Sequence, residues 1–79
     1  MTDDEIYQRL GGIFDDVFEY EGPLGADTVS ADVDGWDSVG HIRLVLAAEE
    51  AFGVRFEPKE VVGLNDLGEL VAAIRQKAG

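Results

Sequence analysis

The sequence predicts an all-α fold, a small four-helix bundle with three main helices, one short helix and a long loop between the first two. Apolar residues recur at helical spacing in three separate segments. No stretch shows the alternation that is typical of a strand. The length of 79 residues suffices for one domain, which we expect to span residues 1–79.

The first helix is predicted from an apolar stripe near the start of the chain. Thr2 or Asp3 can cap its N-terminus, and further acidic residues in the first turn favour the positive end of the helix dipole. The stripe consists of Ile6, Leu10, Ile13, Phe14 and Val17.

The long first loop reads "EYEGPLGADTVSADVDGW" and contains the glycines and the proline that disfavour a continuous helix. Loops of this length in compact domains are usually functional or disordered. Trp36 lies at its end. We expect its indole either to anchor the loop on the bundle or to contact a partner protein beside Ser38.

The remaining helices follow this loop. The second is predicted over residues 39–52, with Gly53 placed to end it. A short third helix is predicted over residues 58–62, because a proline is favourable in a first turn. The fourth covers residues 67–77, with Asp66 as its predicted cap.

Composition narrows the classes of function. The formal net charge is −11, and such an acidic surface repels nucleic acids and anionic lipids. The absence of cysteine excludes disulfides and thiolate metal sites. The acidic opening residues do not resemble a secretion signal, and no apolar run approaches the length of a membrane span. We therefore expect a cytoplasmic monomer that binds neither nucleic acid nor membrane.

The segment "DGWDSVGHI" holds the residues with chemical potential. A hydrolase elbow needs a glycine two positions before Ser38, where this chain has Trp36. A calcium-binding EF-hand loop that starts at Asp32 needs a glutamate where Arg43 stands. Ser38 at a helix N-terminus is either an ordinary helix cap or the attachment point of a phosphorylated group, which free helix amides stabilise.

The sequence from "DSVGHIRLVLAAEEAFGVRF" to "LNDLGELVAAI" resembles the acyl carrier proteins over about residues 3–77. The resemblance implies that Ser38 receives 4′-phosphopantetheine from coenzyme A, through a phosphopantetheinyl transferase and magnesium, and that Asp37 is the signature aspartate before it. It implies a carrier without catalytic activity of its own. The partners that the resemblance implies are acyl-loading, condensing and acyl-transfer enzymes of fatty-acid, polyketide or related secondary biosynthesis.

The resemblance also implies a docking surface and an acyl pocket. The helix after Ser38 is less acidic than is usual in the family, which favours a specialised, stand-alone carrier of an accessory pathway. Expected docking residues are Trp36, Val39, Arg43, Leu46, Glu49 and Glu50, with both glutamates exposed. Expected pocket residues are Ile42, Val45, Ala48, Leu67 and Val71.

Two alternative functions and one residue remain open at this point. A peptidyl or aminoacyl carrier shares the fold and the serine, although the strong acidity and Asp37 favour the acyl type. An unmodified acidic interaction module is the other alternative. His41 either contacts the phosphate or the cargo at the pocket mouth, or rests half-exposed on apolar neighbours.

Overall fold

The computed structural model describes residues 1–78 and contains four α-helices. They are α1 (Asp3–Phe18), α2 (Ser38–Phe52), α3 (Pro58–Val62) and α4 (Leu67–Ala78), with a short 3₁₀ turn at Ser30–Asp32 before α2. No strand occurs within this described range, so the predicted all-α class is confirmed. In the same range, no helix combines the length and the apolar character that a bilayer crossing requires.

Helix α1 begins with a capping box. The Glu5 amide donates to the Thr2 hydroxyl at 3.3 Å, and the Thr2 amide donates to the Glu5 carboxylate at 3.1 Å. The Thr2 hydroxyl also donates to this carboxylate at 3.1 Å. The bonds that the carboxylate accepts from the Thr2 amide and from the Thr2 hydroxyl lower the pKa of Glu5 below its ordinary 4.5. The helix ends at Phe18, because Glu19 adopts a left-handed conformation with φ of 54°. The cap is therefore Thr2 rather than Asp3.

The hydrophobic core lies where α1 packs against both α2 and α4. Phe14 is at its centre on the loop side, with ring centroids 5.3 Å from Phe18 and 5.4 Å from Trp36. Burial of each large apolar side chain contributes about 1.5–3 kcal/mol, so these contacts dominate the stability of the bundle. The largest fully buried side chains are Ile6, Leu10, Phe14, Leu44, Leu67, Leu70 and Ile74.

The loop between α1 and α2, residues 19–37, is held against the bundle. Trp36 is only 6% exposed, so its predicted role as an anchor is confirmed. The loop also bonds to the start of α4, where the Leu67 amide donates to the Thr28 carbonyl at 2.8 Å. Asp66 accepts a bond from the Glu69 amide at 2.9 Å, as predicted for a cap. Loop and helix thus satisfy each other's backbone groups.

Helix α2 starts one residue earlier than predicted, at Ser38, and ends at Gly53, whose φ of 66° confirms the expected stop. Its first turn is crowded. Gly40 is buried, and a Cβ atom there would meet the Gly35 carbonyl and the Phe18 ring. Only glycine lets the loop approach the helix this closely, so Gly40 fixes how the segment before Ser38 sits on the bundle.

Candidate functional site

Ser38 is the first residue of α2 and is exposed to solvent. The cap is its neighbour: the Asp37 carboxylate accepts a bond from the Gly40 amide at 2.8 Å. The interpretation of Ser38 as the helix cap is therefore wrong, because the aspartate already occupies that position. Within residues 1–78, the Ser38 hydroxyl has no hydrogen-bond partner, so it is free to react or to be modified.

The helix N-terminus around this hydroxyl favours an anionic group. The amides of Ser38 and Val39 make no hydrogen bond to any described residue. The first turn of α2 carries no acidic side chain. Unpaired amides and the positive end of the helix dipole both stabilise a phosphate. Asp37 opposes this with its own charge, but its carboxylate is bonded to the Gly40 amide.

An open groove of about 900 Å³ lies beside Ser38, between α2 on one side and α3 with its flanking segments on the other. Its volume falls within the range of about 300–1,000 Å³ that is common for small-molecule sites. The walls are mostly apolar, with Ser38 and Asp37 at one end. The lining residues are Ser30, Trp36, Asp37, Ser38, His41, Ile42, Val45, Leu46, Glu49, Phe56, Pro58, Val61, Val62, Leu64 and Asn65.

The structure places the predicted pocket residues in two different environments. Ile42 and Val45 line the groove. Ala48, Leu67 and Val71 do not, because they are buried in the core that α1, α2 and α4 share. Val45 is both buried and part of the groove lining, so core and groove share some side chains, and the assignment of all five residues to an acyl pocket stays a prediction.

The opposite wall was missed by sequence reasoning. Phe56, Pro58, Val61, Val62 and Leu64 form it, and Val62 is 83% exposed. A signal was available, since four apolar residues within "PKEVVGL" are too many for a short solvated helix. Their arrangement around one groove depends on where α3 lies, which no local pattern specifies.

The predicted docking residues also differ in how exposed they are. Val39, Arg43, Leu46 and Glu50 are exposed on α2, with Val39 at 66% and Leu46 at 58%. Trp36 offers little surface to a partner, because it is buried against the core.

Glu49 departs from its predicted exposure. It is half-buried, and its Oε2 atom accepts a hydrogen bond from the Phe56 amide at 2.7 Å. Its carboxylate therefore holds the segment that leads into α3.

His41 makes two polar contacts that sequence reasoning missed. The Trp36 indole Nε1–H donates to His41 Nδ1 at 3.0 Å, with the two rings stacked at 11° between planes. His41 Nε2 lies 2.9 Å from the Val61 carbonyl oxygen of α3. The ring is half-buried, as one of the two interpretations expected. Both nitrogens are engaged within the protein, so neither is free to contact a phosphate.

Comparison with known proteins agrees with this geometry. No family model matches the chain. A curated acyl carrier protein from Prochlorococcus marinus (strain MIT 9515) is 30% identical over 80 aligned positions, which cover the whole of both chains. The solution NMR structure of the holo acyl carrier protein from Geobacter metallireducens matches with a TM-score of 0.79. That match is 30% identical and covers 89% of this chain and 82% of the other.

The relationship therefore extends over the entire length and includes the helical fold. Proteins of this kind are carriers and do not catalyse reactions. With its four helices, its exposed serine at the start of α2 and its full-length relative, the chain belongs to the acyl carrier protein family.

Proposed function

We propose that Ser38 carries 4′-phosphopantetheine and that the protein delivers acyl groups between enzymes of a biosynthetic pathway. The observation that carries this proposal is the Ser38 hydroxyl, which is exposed, unpartnered within residues 1–78 and located at the mouth of an apolar groove. Its environment fits the group, because unpaired amides of α2 and the helix dipole favour a phosphodiester on that oxygen.

Attachment requires a phosphopantetheinyl transferase as partner. The Ser38 oxygen forms a bond to the phosphorus that bears the pantetheine arm of coenzyme A. The bond from that phosphorus to the bridging oxygen breaks, and adenosine 3′,5′-bisphosphate leaves. The serine proton passes to a base of the transferase. Asp37 contributes by capping α2, which presents the hydroxyl outward.

When attached, phosphopantetheine supplies a terminal thiol that holds an acyl group as a thioester, which accounts for the absence of cysteine in the chain. The residues of the groove would shelter an acyl chain. Burial against Ile42, Val45 and Val61 would stabilise the carried chain by about 0.8 kcal/mol per buried methylene. Any free energy needed to widen the groove would be subtracted from this stabilisation.

Partner enzymes would dock on α2 beside Ser38. The exposed side chains there are Val39, Arg43 and Leu46, so the first three turns present an apolar surface with one cation. A partner with a purely basic patch fits this surface poorly. We therefore favour acyl-loading, condensing or acyl-transfer enzymes of an accessory pathway. We further propose that the chain acts as one domain, as a monomer and in the cytoplasm.

The chain offers a matched control for the attachment site. It contains only two serines, Ser30 and Ser38, and both are exposed at the groove. Incubation with coenzyme A, magnesium and a broad-specificity transferase should add one phosphopantetheine to the wild type and to Ser30→Ala. Ser38→Ala should stay unmodified by intact mass. An adduct that persists in Ser38→Ala, or none in the wild type with several transferases, would contradict the proposal.

The class of cargo needs a separate experiment. The modified protein is offered acyl donors with acyltransferases, in competition with amino acids and adenylating enzymes, and the products are identified by mass. We expect acyl products to predominate. Predominance of aminoacyl products would instead assign the protein as an aminoacyl carrier while leaving Ser38 as the attachment site.

A further inference from the structure

The contacts of His41 determine which of its nitrogens carries the proton. An indole N–H is a donor only, so the bond from Trp36 Nε1 at 3.0 Å requires His41 Nδ1 to be the acceptor. The proton of the neutral ring is then on Nε2, which donates to the Val61 carbonyl at 2.9 Å. One neutral side chain thus connects the end of the first loop, helix α2 and helix α3.

This connection matters because α3 is weakly anchored by other means. None of the residues of α3 is buried, so little apolar burial fixes its position. Besides the bond from His41, the Lys77 ammonium of α4 contacts Glu60 at 2.9 Å. That ion pair lies on the α4 side, away from the groove lining, whereas His41 and Val61 both line the groove. His41 and Glu49 are therefore the two side chains of α2 that bond across the groove, and of these only His41 bonds to a residue of α3 itself.

We propose that His41 determines the width of the groove and hence the size of the acyl chain that the protein accepts. By bonding to the Val61 carbonyl it holds α3 at one distance from α2, and the indole of Trp36 keeps its proton on the nitrogen that makes this bond. His41 acts through α3, as a positioning residue, and is not expected to touch the attached group. The inference rests on the proposed carrier function.

Two variants separate the hydrogen bonds from the shape of the ring. His41→Phe keeps an aromatic ring against Trp36 but removes both bonds. His41→Gln removes the ring but supplies one acceptor and one donor on a single amide. Each variant is studied first without modification, by the NMR signal of the Trp36 indole N–H and its exchange with water. Loss of one hydrogen bond should speed exchange by about tenfold in His41→Phe, with partial recovery in His41→Gln.

The second readout is the dependence on chain length. A transferase loads acetyl- to decanoyl-phosphopantetheine onto Ser38, and the rate of cleavage by hydroxylamine is measured. In the wild type, protection should grow by up to about fourfold per sheltered methylene until the groove is full. In His41→Phe the length at which protection stops growing should shift and the longest chains should lose about tenfold of their protection. His41→Gln should lie closer to the wild type.

The outcomes distinguish this inference from the function on which it rests. An unchanged length profile in His41→Phe, together with altered indole exchange, would overturn the inference and leave the carrier function intact. Unchanged indole exchange would also overturn it, because the bond from Trp36 that places the His41 proton on Nε2 would then not exist in solution. A wild type that takes no phosphopantetheine would count against the proposed function itself, whereas a modified wild type without chain-length dependence would overturn only the inference.

Discussion

Replacement of Glu49 by alanine should destabilise the protein, although this residue resembles an ordinary surface glutamate in sequence. Its carboxylate accepts the Phe56 amide at 2.7 Å, and Phe56 lines the groove and leads into α3. Hydrogen bonds to charged groups contribute about 1.5–3 kcal/mol, and partial exposure of Glu49 reduces this to roughly 1–2 kcal/mol. For a domain of this size, the loss corresponds to a decrease in Tm of roughly 5–15 °C.

Glu50 provides the matched control, because it is the adjacent residue of the same helix, has the same charge and is exposed. Glu50→Ala should change the free energy of unfolding by no more than about 0.5 kcal/mol. Chemical denaturation of both variants, monitored by Trp36 fluorescence and by circular dichroism, measures the difference. Equal destabilisation by the two substitutions would refute the reasoning. Because Glu49 has this structural role and Glu50 is exposed, Glu50→Lys, and not Glu49→Lys, is the substitution that tests partner docking without disturbing the fold.

Four further substitutions test the local geometry. Glu19→Gly should raise the stability by about 0.5–1 kcal/mol, because glycine tolerates the left-handed conformation that ends α1; a loss in urea denaturation would contradict this. Gly40→Ala should lower the stability by about 1–3 kcal/mol, since the added methyl meets a backbone carbonyl. In contrast, Gly12→Ala, with open space around it, should stabilise α1 by about 0.5–1 kcal/mol, and the same sign for both alanine variants would oppose the reasoning. Hydrogen bonding to the Glu57 amide and to Lys77 lowers the pKa of Glu60 below 4.5, so its contribution is present above pH 4.5 and is lost as the pH falls through the lowered value. Glu60→Gln should therefore lower Tm at neutral pH, and the difference from the wild type should shrink in acid; a constant difference would argue against it.

The boundaries of the helices were predictable because the groups that start and stop them are local. Asp66 caps α4 through an amide three residues away, and Gly53 ends α2 by its own conformation. The position of Ser38 at the start of a helix followed in the same way. Only the assignment of the cap was wrong. Asp37 and Ser38 are both good capping residues, and their order on the backbone decides between them.

The division between core and groove was not predictable from helical stripes. Val45 and Ala48 belong to the same face of α2, yet Val45 borders the groove and Ala48 is fully buried in the hydrophobic core. A stripe indicates which side of a helix is apolar but not which neighbour covers each part of it. The exposed wall of α3 was missed for the same reason.

The amino-acid sequence by itself determined the four helices, the position of the exposed serine and the family, because capping, periodicity and the motif around Ser38 all act over a few neighbouring residues. Only the tertiary structure decided what Glu49 and His41 do. Glu49 reaches an amide seven residues away, and His41 joins Trp36 to a carbonyl twenty residues further along the chain. The bond to Val61 uses the backbone carbonyl, which every residue has, so the identity of residue 61 gives no indication of this contact.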